Sequence, residues 1–459
     1  MTNRYRILLI AVLIPLRIFG QVPNTFTDAE KVYGLSKIWK EIEYNYAYFE
    51  KTGTEKWDSL YLSIIKLVQE TKNDYEYYKE LERFIAFLQD GHTRLGRFPN
   101  VDRWTTVYKD YLIEFDRIED KVIVTRINLK KKDEIPLGSE LIEVNGITTE
   151  KHLAKYVIPY IAASTDHVRN SLAAQYIFDG LKYMEYNIKL RTPENEIKTL
   201  KLIHDWNKED KFPPEVYPPY KSREEVQFKW FDDQIGYLVI NSFKDSSIVL
   251  AFKEKLPELY KAKTLIIDIR ENSGGNTEIG LEIFKYLTND KYIYCHKSRS
   301  RKHFSHNKAN GARLSAEDTI NAAWKKEAFL DYHNKLYTDF DYEPYLNDLN
   351  AKRIIIPTII LIGHNTVSAA EDFLVPVKNQ DHIKTIGELT NGSTGTLYKF
   401  TLPGGGTGYT CTLQSYYPDG SEFVGVGIKP DIEVKRTING IINIKDEALD
   451  KALKYLREK

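Results

Sequence analysis

Cysteine is almost absent: Cys295 and Cys411 are the only two in 459 residues. A disulfide scaffold is therefore excluded, and the residues leave open both one Cys295–Cys411 bridge and two free thiols. No His and Cys grouping has zinc-ligand spacing, so neither a metal nor another cofactor is expected. An excess of charge is missing too, with 65 basic and 65 acidic side chains. Basic clusters such as Lys131-Lys132 and Arg299–Lys302 are short, so nucleic acid is not an expected partner. Tandem repeats and low-complexity tracts are lacking. The apolar run Leu8–Ile14, behind Arg4 and Arg6, is too short to cross a bilayer and reads as a signal peptide over residues 1–20. No cysteine follows it to accept a lipid. The expected protein is exported, periplasmic or secreted, and does not span the membrane once the signal is removed.

What is present centres on Ser368. The β-branched run Ile354–Ile362, bounded by Gly363, reads as a buried strand, with Pro357 removing one ladder donor. Phe373 and Leu374 beyond the serine read as a helix. A serine at such a junction lies on a tight turn with free backbone N–H groups behind it. Ser-x-x-Glu (Ser368 to Glu371) is also the spacing of a helix capping box, and alone it reads as a cap. Three other stretches change that reading. Leu265–Arg270 forms a second strand, running into Asn272-Ser273-Gly274-Gly275 and then a helix from Thr277. Paired glycines let a backbone amide approach a substrate carbonyl. The amide of Gly274 or Gly275, together with that of Ala369, would make a two-donor oxyanion hole. Asp268 and Arg270 are suited to bracing that turn.

A serine hydroxyl needs a base. His296, His303 and His306 lie in a polar, basic stretch and are expected at the surface. His92 follows a stretch with Leu81, Phe84, Ile85 and Leu88 at helical spacing, on a loop loosened by Gly91, and can reach another part of the fold.

The ordered set Asp90–Thr93, Asp268–Gly275, Thr366–Glu371 and Gly425–Asp431 resembles the tail-specific, or C-terminal processing, peptidases and the tricorn core protease. In the lysine-dependent branch of that family the base sits in a Gly-Lys-Gly turn. The comparable segment here is Gly387–Gly395, and the lysine position is Ser393. A hydroxyl cannot act as that base, so substitution of Ser393 is expected to be mild. The resemblance is to the tricorn-like branch, and it implies His92 as the base. It further implies Glu422 as the carboxylate that orients the imidazole, with Asp90 as the alternative. In tricorn a serine before the histidine relays that glutamate, whereas this chain has Gly91 there.

The expected fold class is α/β. The resemblance implies a crotonase-like (ClpP-like) catalytic core with an N-terminal helical domain and an inserted PDZ-like domain. The expected divisions are a helical domain over 21–100, a PDZ-like domain over 101–205, a proline-marked linker over 206–225 and a catalytic domain over 226–459. The PDZ-like reading rests on Leu137–Gly146, with its Asn-Gly hairpin. Residues 291–350 read as an insertion covering the cleft. The expected activity is serine endopeptidase cleavage, through an acyl-enzyme, of a peptide or unfolded protein. The alternatives are a catalytically silent peptide- or lipid-binding protein on the same scaffold and a crotonase-type acyl-CoA enzyme. The latter would need a carboxylate pair that the sequence does not show.

Overall fold

Thr27 caps the first helix, Asp28–Asn45. Its side chain accepts from Glu30 N–H while Glu30 accepts from the Thr27 amide, closing a capping box. Leu35, Ile38 and Ile42 recur at helical spacing and are buried in one core with residues of the helices Thr54–Glu70 and Asp74–Ala86. Trp57 and Phe84 stack there with ring centroids 4.2 Å apart. Tyr46 and Phe49 are buried, whereas Tyr44 is exposed and stacks on His303. The computed structural model describes residues 23–97, 99–206, 214–222, 224–232 and 234–458. The expected signal peptide, and residues 207–213 and 223 of the expected linker, lie outside the described residues.

An antiparallel sheet follows, in the order Ile197–Ile203, Glu185–Arg191, Glu140–Val144, Lys121–Asn128, Tyr111–Ile118, Val107–Tyr108. Asn145 and Gly146 both have positive φ, 50° and 83°, as a two-residue hairpin turn between Glu140–Val144 and Ile147–Thr148 requires. Val216–Tyr217, expected within the linker, pairs with Lys121–Asn128 instead. The helix Asp166–Gln175 is tied to the strand Tyr111–Ile118 through Ser171 Oγ, which donates to Asp116 at 2.6 Å.

A six-stranded sheet is built from Val226–Trp230, Ile235–Ile240, Thr264–Asp268, Thr358–Ile362, Ile383–Gly387 and Ile432–Glu433, in that order. Only the first pair is antiparallel. Side chains alternate across a strand, so both faces of these apolar runs are covered. Leu265, Ile267, Ile360 and Ile362 share a core with Phe252, Phe284, Phe373 and Leu374, from helices on one side. Ile266, Ile359 and Leu361 pack with Ala452, Leu453 and Leu456 of the helix Glu447–Arg457 on the other. The central strands are parallel, so their C-terminal ends open on one edge. The loops holding Gly274, Ser368 and Ser393 all leave from that edge, where open α/β sheets bind ligands.

The insertion 291–350 contacts both a later strand and the helical part. Its strand Lys297–Arg301 pairs with Gln414–Tyr416, and Arg301 donates to the carbonyls of Glu43 and Tyr46. Cys295 and Cys411 are both buried and free. Burial pushes the Cys295 thiol up to about 12, which leaves it protonated and unreactive at neutral pH.

Candidate active site

The turn before the helix Ala369–Val377 is pinned from three directions. Thr366 Oγ1 accepts from Gly363 N–H at 3.0 Å and donates to the Ile269 carbonyl at 2.9 Å. Val367 N–H donates to the Asn272 carbonyl, and Ser368 N–H to the Ser393 carbonyl at 2.9 Å. These ties hold Ser368 at φ 60° and ψ −128°. An L-residue there carries strain on the order of 1–3 kcal/mol, a cost met at sites where a side chain must be aimed. The Ser368 side chain makes no capping hydrogen bond to its helix. Glu371 also turns away from it, so the capping-box reading of Ser-x-x-Glu fails here.

His92 comes from the other end of the chain. The helix Asp74–Ala86 ends in a short turn with Gln89 at φ 51°, after which Asp90 organises the loop. The Asp90 carboxylate accepts from His92 N–H at 3.2 Å, Thr93 Oγ1 at 2.6 Å and Ser164 Oγ at 3.3 Å. Thr93 Oγ1 in turn accepts from Cys411 N–H at 3.0 Å, fastening the loop to the strand Thr407–Cys411. The buried His92 ring thereby spans two hydroxyls: Nε2 is 3.3 Å from Ser368 Oγ, and Nδ1 is 2.5 Å from Ser393 Oγ.

The structure corrects the expectation for Glu422. Its side chain is half-exposed on the loop after Asp419–Ser421, with Lys51 Nζ 3.8 Å away, and Ser393 occupies Nδ1 instead. A charged carboxylate that keeps its hydration at a surface turn has no electrostatic reason to enter the buried site. Asp90, the alternative, bonds the His92 backbone and not its ring. The expectation for Ser393 changes as well, since its hydroxyl takes the position assigned to the orienting group. Gly91 makes room for it: a Cβ on Gly91 would lie 3.1 Å from Ser393 Oγ.

Glu371 secures Ser393. Its fully buried carboxyl accepts from Ser393 N–H at 2.9 Å, Gly392 N–H at 2.7 Å and Thr390 Oγ1 at 2.5 Å. Burial pushes this carboxyl up to about 8 against those three donors. The Ser-x-x-Glu spacing was the only sequence signal for it. Asp372 was missed altogether. It accepts from Thr277 Oγ1 at 2.7 Å and Thr394 Oγ1 at 3.1 Å, and His296, expected at the surface, lies 3.4 Å from it. Burial lowers the His92 pKa below its ordinary value, and Arg94 adds to that, while Asp90 and Asp372 pull it up. The imidazole is therefore neutral at pH 7, with two carboxylates near enough to favour its cation once a proton arrives.

The two glycines are not equivalent. Gly274 N–H donates to Asn272 Oδ1 at 2.9 Å, and Asn272 Nδ2 donates to the Ile240 carbonyl at 3.1 Å. The amides of Gly275 and Ala369 have no acceptor among the described residues. Gly274 is needed for a different reason. At φ 86°, a Cβ on it would lie 2.7 Å from Ser368 Cβ and 3.1 Å from Ala369 N, inside the Ser368 turn. Below it, Arg270 forks onto Asp268 and Asp446, and Tyr237 donates to Asp268 at 2.6 Å. That network braces the strand end.

Residues 234–434 match the sequence model of peptidase family S41. The chain is a serine-type peptidase. No curated protein matches the sequence. Among solved structures, mature CPAF complexed with lactacystin superposes with a TM-score of 0.64 at 17% identity, covering 94% of this chain and 98% of that one. Mature CPAF gives 0.65 at 16% identity, covering 93% and 96%. The photosystem II D1 C-terminal processing protease gives 0.46 at 15%, covering 91% and 98%. The CPAF likeness extends well beyond the matched segment, so the fold is shared across nearly the whole chain. Ser368, Ser393, Glu371 and the glycine turn fall inside the S41 segment. His92 falls outside it.

Proposed function

We propose that this is an exported serine endopeptidase of the tricorn-like, histidine-dependent branch, with Ser368 as nucleophile, His92 as base and Ser393 as the group that orients the base. The observation that carries this reading is the His92 ring suspended between Ser368 Oγ and Ser393 Oγ. With Nδ1–H donating to Ser393 Oγ, Nε2 is left with its lone pair facing Ser368, the tautomer that a general base requires.

Nε2 takes the hydroxyl proton as Ser368 Oγ attacks a peptide carbonyl. Negative charge builds on the former carbonyl oxygen, and the amides of Gly275 and Ala369 are the donors free to hold it. The His92 cation returns its proton to the amine nitrogen as the C–N bond breaks. An acyl-Ser368 ester remains, and water, deprotonated by His92, releases the acid. The substrate in this reading is a peptide or unfolded protein. The six-stranded sheet and its helices are the crotonase-like core, over about residues 226–459; residues 101–205 are the PDZ-like domain, and 21–100 the helical domain that delivers His92.

A fluorophosphonate probe tests the centre without knowledge of the natural substrate. Rapid labelling, with the tag mapped to the peptide containing Ser368, is expected. Slow or absent labelling of folded protein would instead favour a silent binding protein on the same scaffold. Ser393→Ala removes the acceptor for Nδ1–H while leaving the Ser393 N–H to Glu371 and its carbonyl to Ser368 in place. It is expected to lower the labelling rate and turnover by about 10²–10⁴-fold, the range of a lost tautomer-setting partner. A wild-type rate in Ser393→Ala would return the search to Glu422.

A further inference from the structure

His92 and Ser393 stand 301 residues apart in sequence, and a third segment touches the loops of both. Ser164 Oγ accepts from Gly91 N–H at 3.0 Å and donates to Asp90 at 3.3 Å. The next residue, Thr165, donates from Oγ1 to the Asn391 carbonyl at 3.0 Å. His167 Nε2 lies 2.7 Å from the Thr390 carbonyl, and burial lowers its pKa, so this is a neutral N–H donor. Gly392 packs so closely here that a Cβ on it would lie 2.6 Å from Thr165 Cγ2.

Thr165 is also the N-cap of the helix Asp166–Gln175, where a threonine hydroxyl ordinarily bonds the first turn of its own helix. Here it makes none to the backbone of that turn, where it meets only the His167 ring, 3.4 Å from Nε2. The hydroxyl is committed outward, to the segment whose other side is held by Glu371 and Thr366. We infer that Ser164, Thr165 and His167 are positioning residues for the peptidase reaction, clamping the His92 loop to the Ser393 loop from outside the S41 segment. Adjacent Cα atoms are a fixed distance of about 3.8 Å apart. One residue on each loop is therefore enough to set the gap between them, and with it the contact of Nδ1 with the Ser393 hydroxyl. The inference rests on the proposed Ser368–His92–Ser393 centre.

The test uses the full chain and the second-order rate of fluorophosphonate labelling, with melting temperature in parallel. Thr165→Val keeps the shape and removes the hydroxyl, and Thr165→Ser keeps the hydroxyl. Thr165→Val is expected to label about 10²-fold more slowly, the scale of an ångström-level misplacement of a reacting group, with Thr165→Ser within a few-fold of wild type. Equal rates for Thr165→Val and wild type, or equal losses in the Val and Ser variants, would overturn the inference; the second result would mean packing alone. Should Thr165→Val fail to fold, Ser164→Ala carries the same comparison, and an unchanged rate there overturns it too. His92→Ala separates the two levels. If it labels at the wild-type rate, the proposed centre itself fails. If it is silent while Thr165→Val is normal, only the clamp fails.

Discussion

Ser368→Ala is expected to abolish peptide hydrolysis and probe labelling while leaving the fold intact. Removing the nucleophile of a serine centre costs roughly 10⁶-fold in kcat, and what remains reflects the oxyanion donors and substrate binding alone. The cost in stability should be small, because the hydroxyl caps nothing and Ala keeps the same Cβ. Backbone strain provides a second readout. Ser368 sits at φ 60° and ψ −128°, a conformation that glycine adopts without a Cβ penalty. Ser368→Gly should therefore be equally inactive yet melt at a higher temperature than Ser368→Ala, as expected where strain is held for function. Wild-type turnover in the alanine variant would remove Ser368 from the mechanism. Equal melting temperatures for the Gly and Ala variants would show that the turn stores no strain.

The strands around Ser368 were legible because they are buried on both faces and read as unbroken apolar runs. Ile267 and Ile360 face one core and Ile266 and Ile359 the other, so no polar alternation interrupts them. The strand expected over Ile354–Ile362 begins only at Thr358. Pro357, which has no N–H to donate, stands just before it. Motif order suggested that His92 and Ser368 meet, and the structure brings them to 3.3 Å. The partner of the other ring nitrogen was not legible. Ser393 is a small polar residue with no periodicity to mark it, and its contact with His92 depends on two loops converging from separate parts of the fold. The Glu422 expectation transferred a position in a motif without its burial, and burial decides whether a carboxylate can reach an imidazole. Thr165 was hidden for a related reason: its sequence context is that of a helix cap, and only the structure shows where its hydroxyl goes.

His92→Ala is expected to match Ser368→Ala in severity, since nucleophile and base act as one unit and removing either costs about as much as removing both. The pH profile of the unmodified enzyme carries the sharper information. In kcat/KM the acidic limb reports the base of the free enzyme. Burial and Arg94 lower the His92 pKa, and the opposing pull of Asp90 and Asp372 does not cancel them. Activity should thus be full at pH 7 and fall only as pH drops through a midpoint below about 6.5, the ordinary histidine value. The same shift acts on stability. In the unfolded chain His92 takes up its proton near pH 6.5, while the folded ring resists it. Its contribution is therefore complete above about pH 6.5 and is lost as pH falls toward and through the lowered folded value. Acid should then weaken both chemistry and fold, and brief acid exposure followed by assay at pH 7 separates them, because protonation of the base reverses at once. Replacing Arg94 with alanine removes one of the two influences that depress the pKa and should move the acidic limb upward. A limb above about pH 9, in the range of a lysine amine, would exclude His92 as the base; so would an Arg94→Ala limb that moves down.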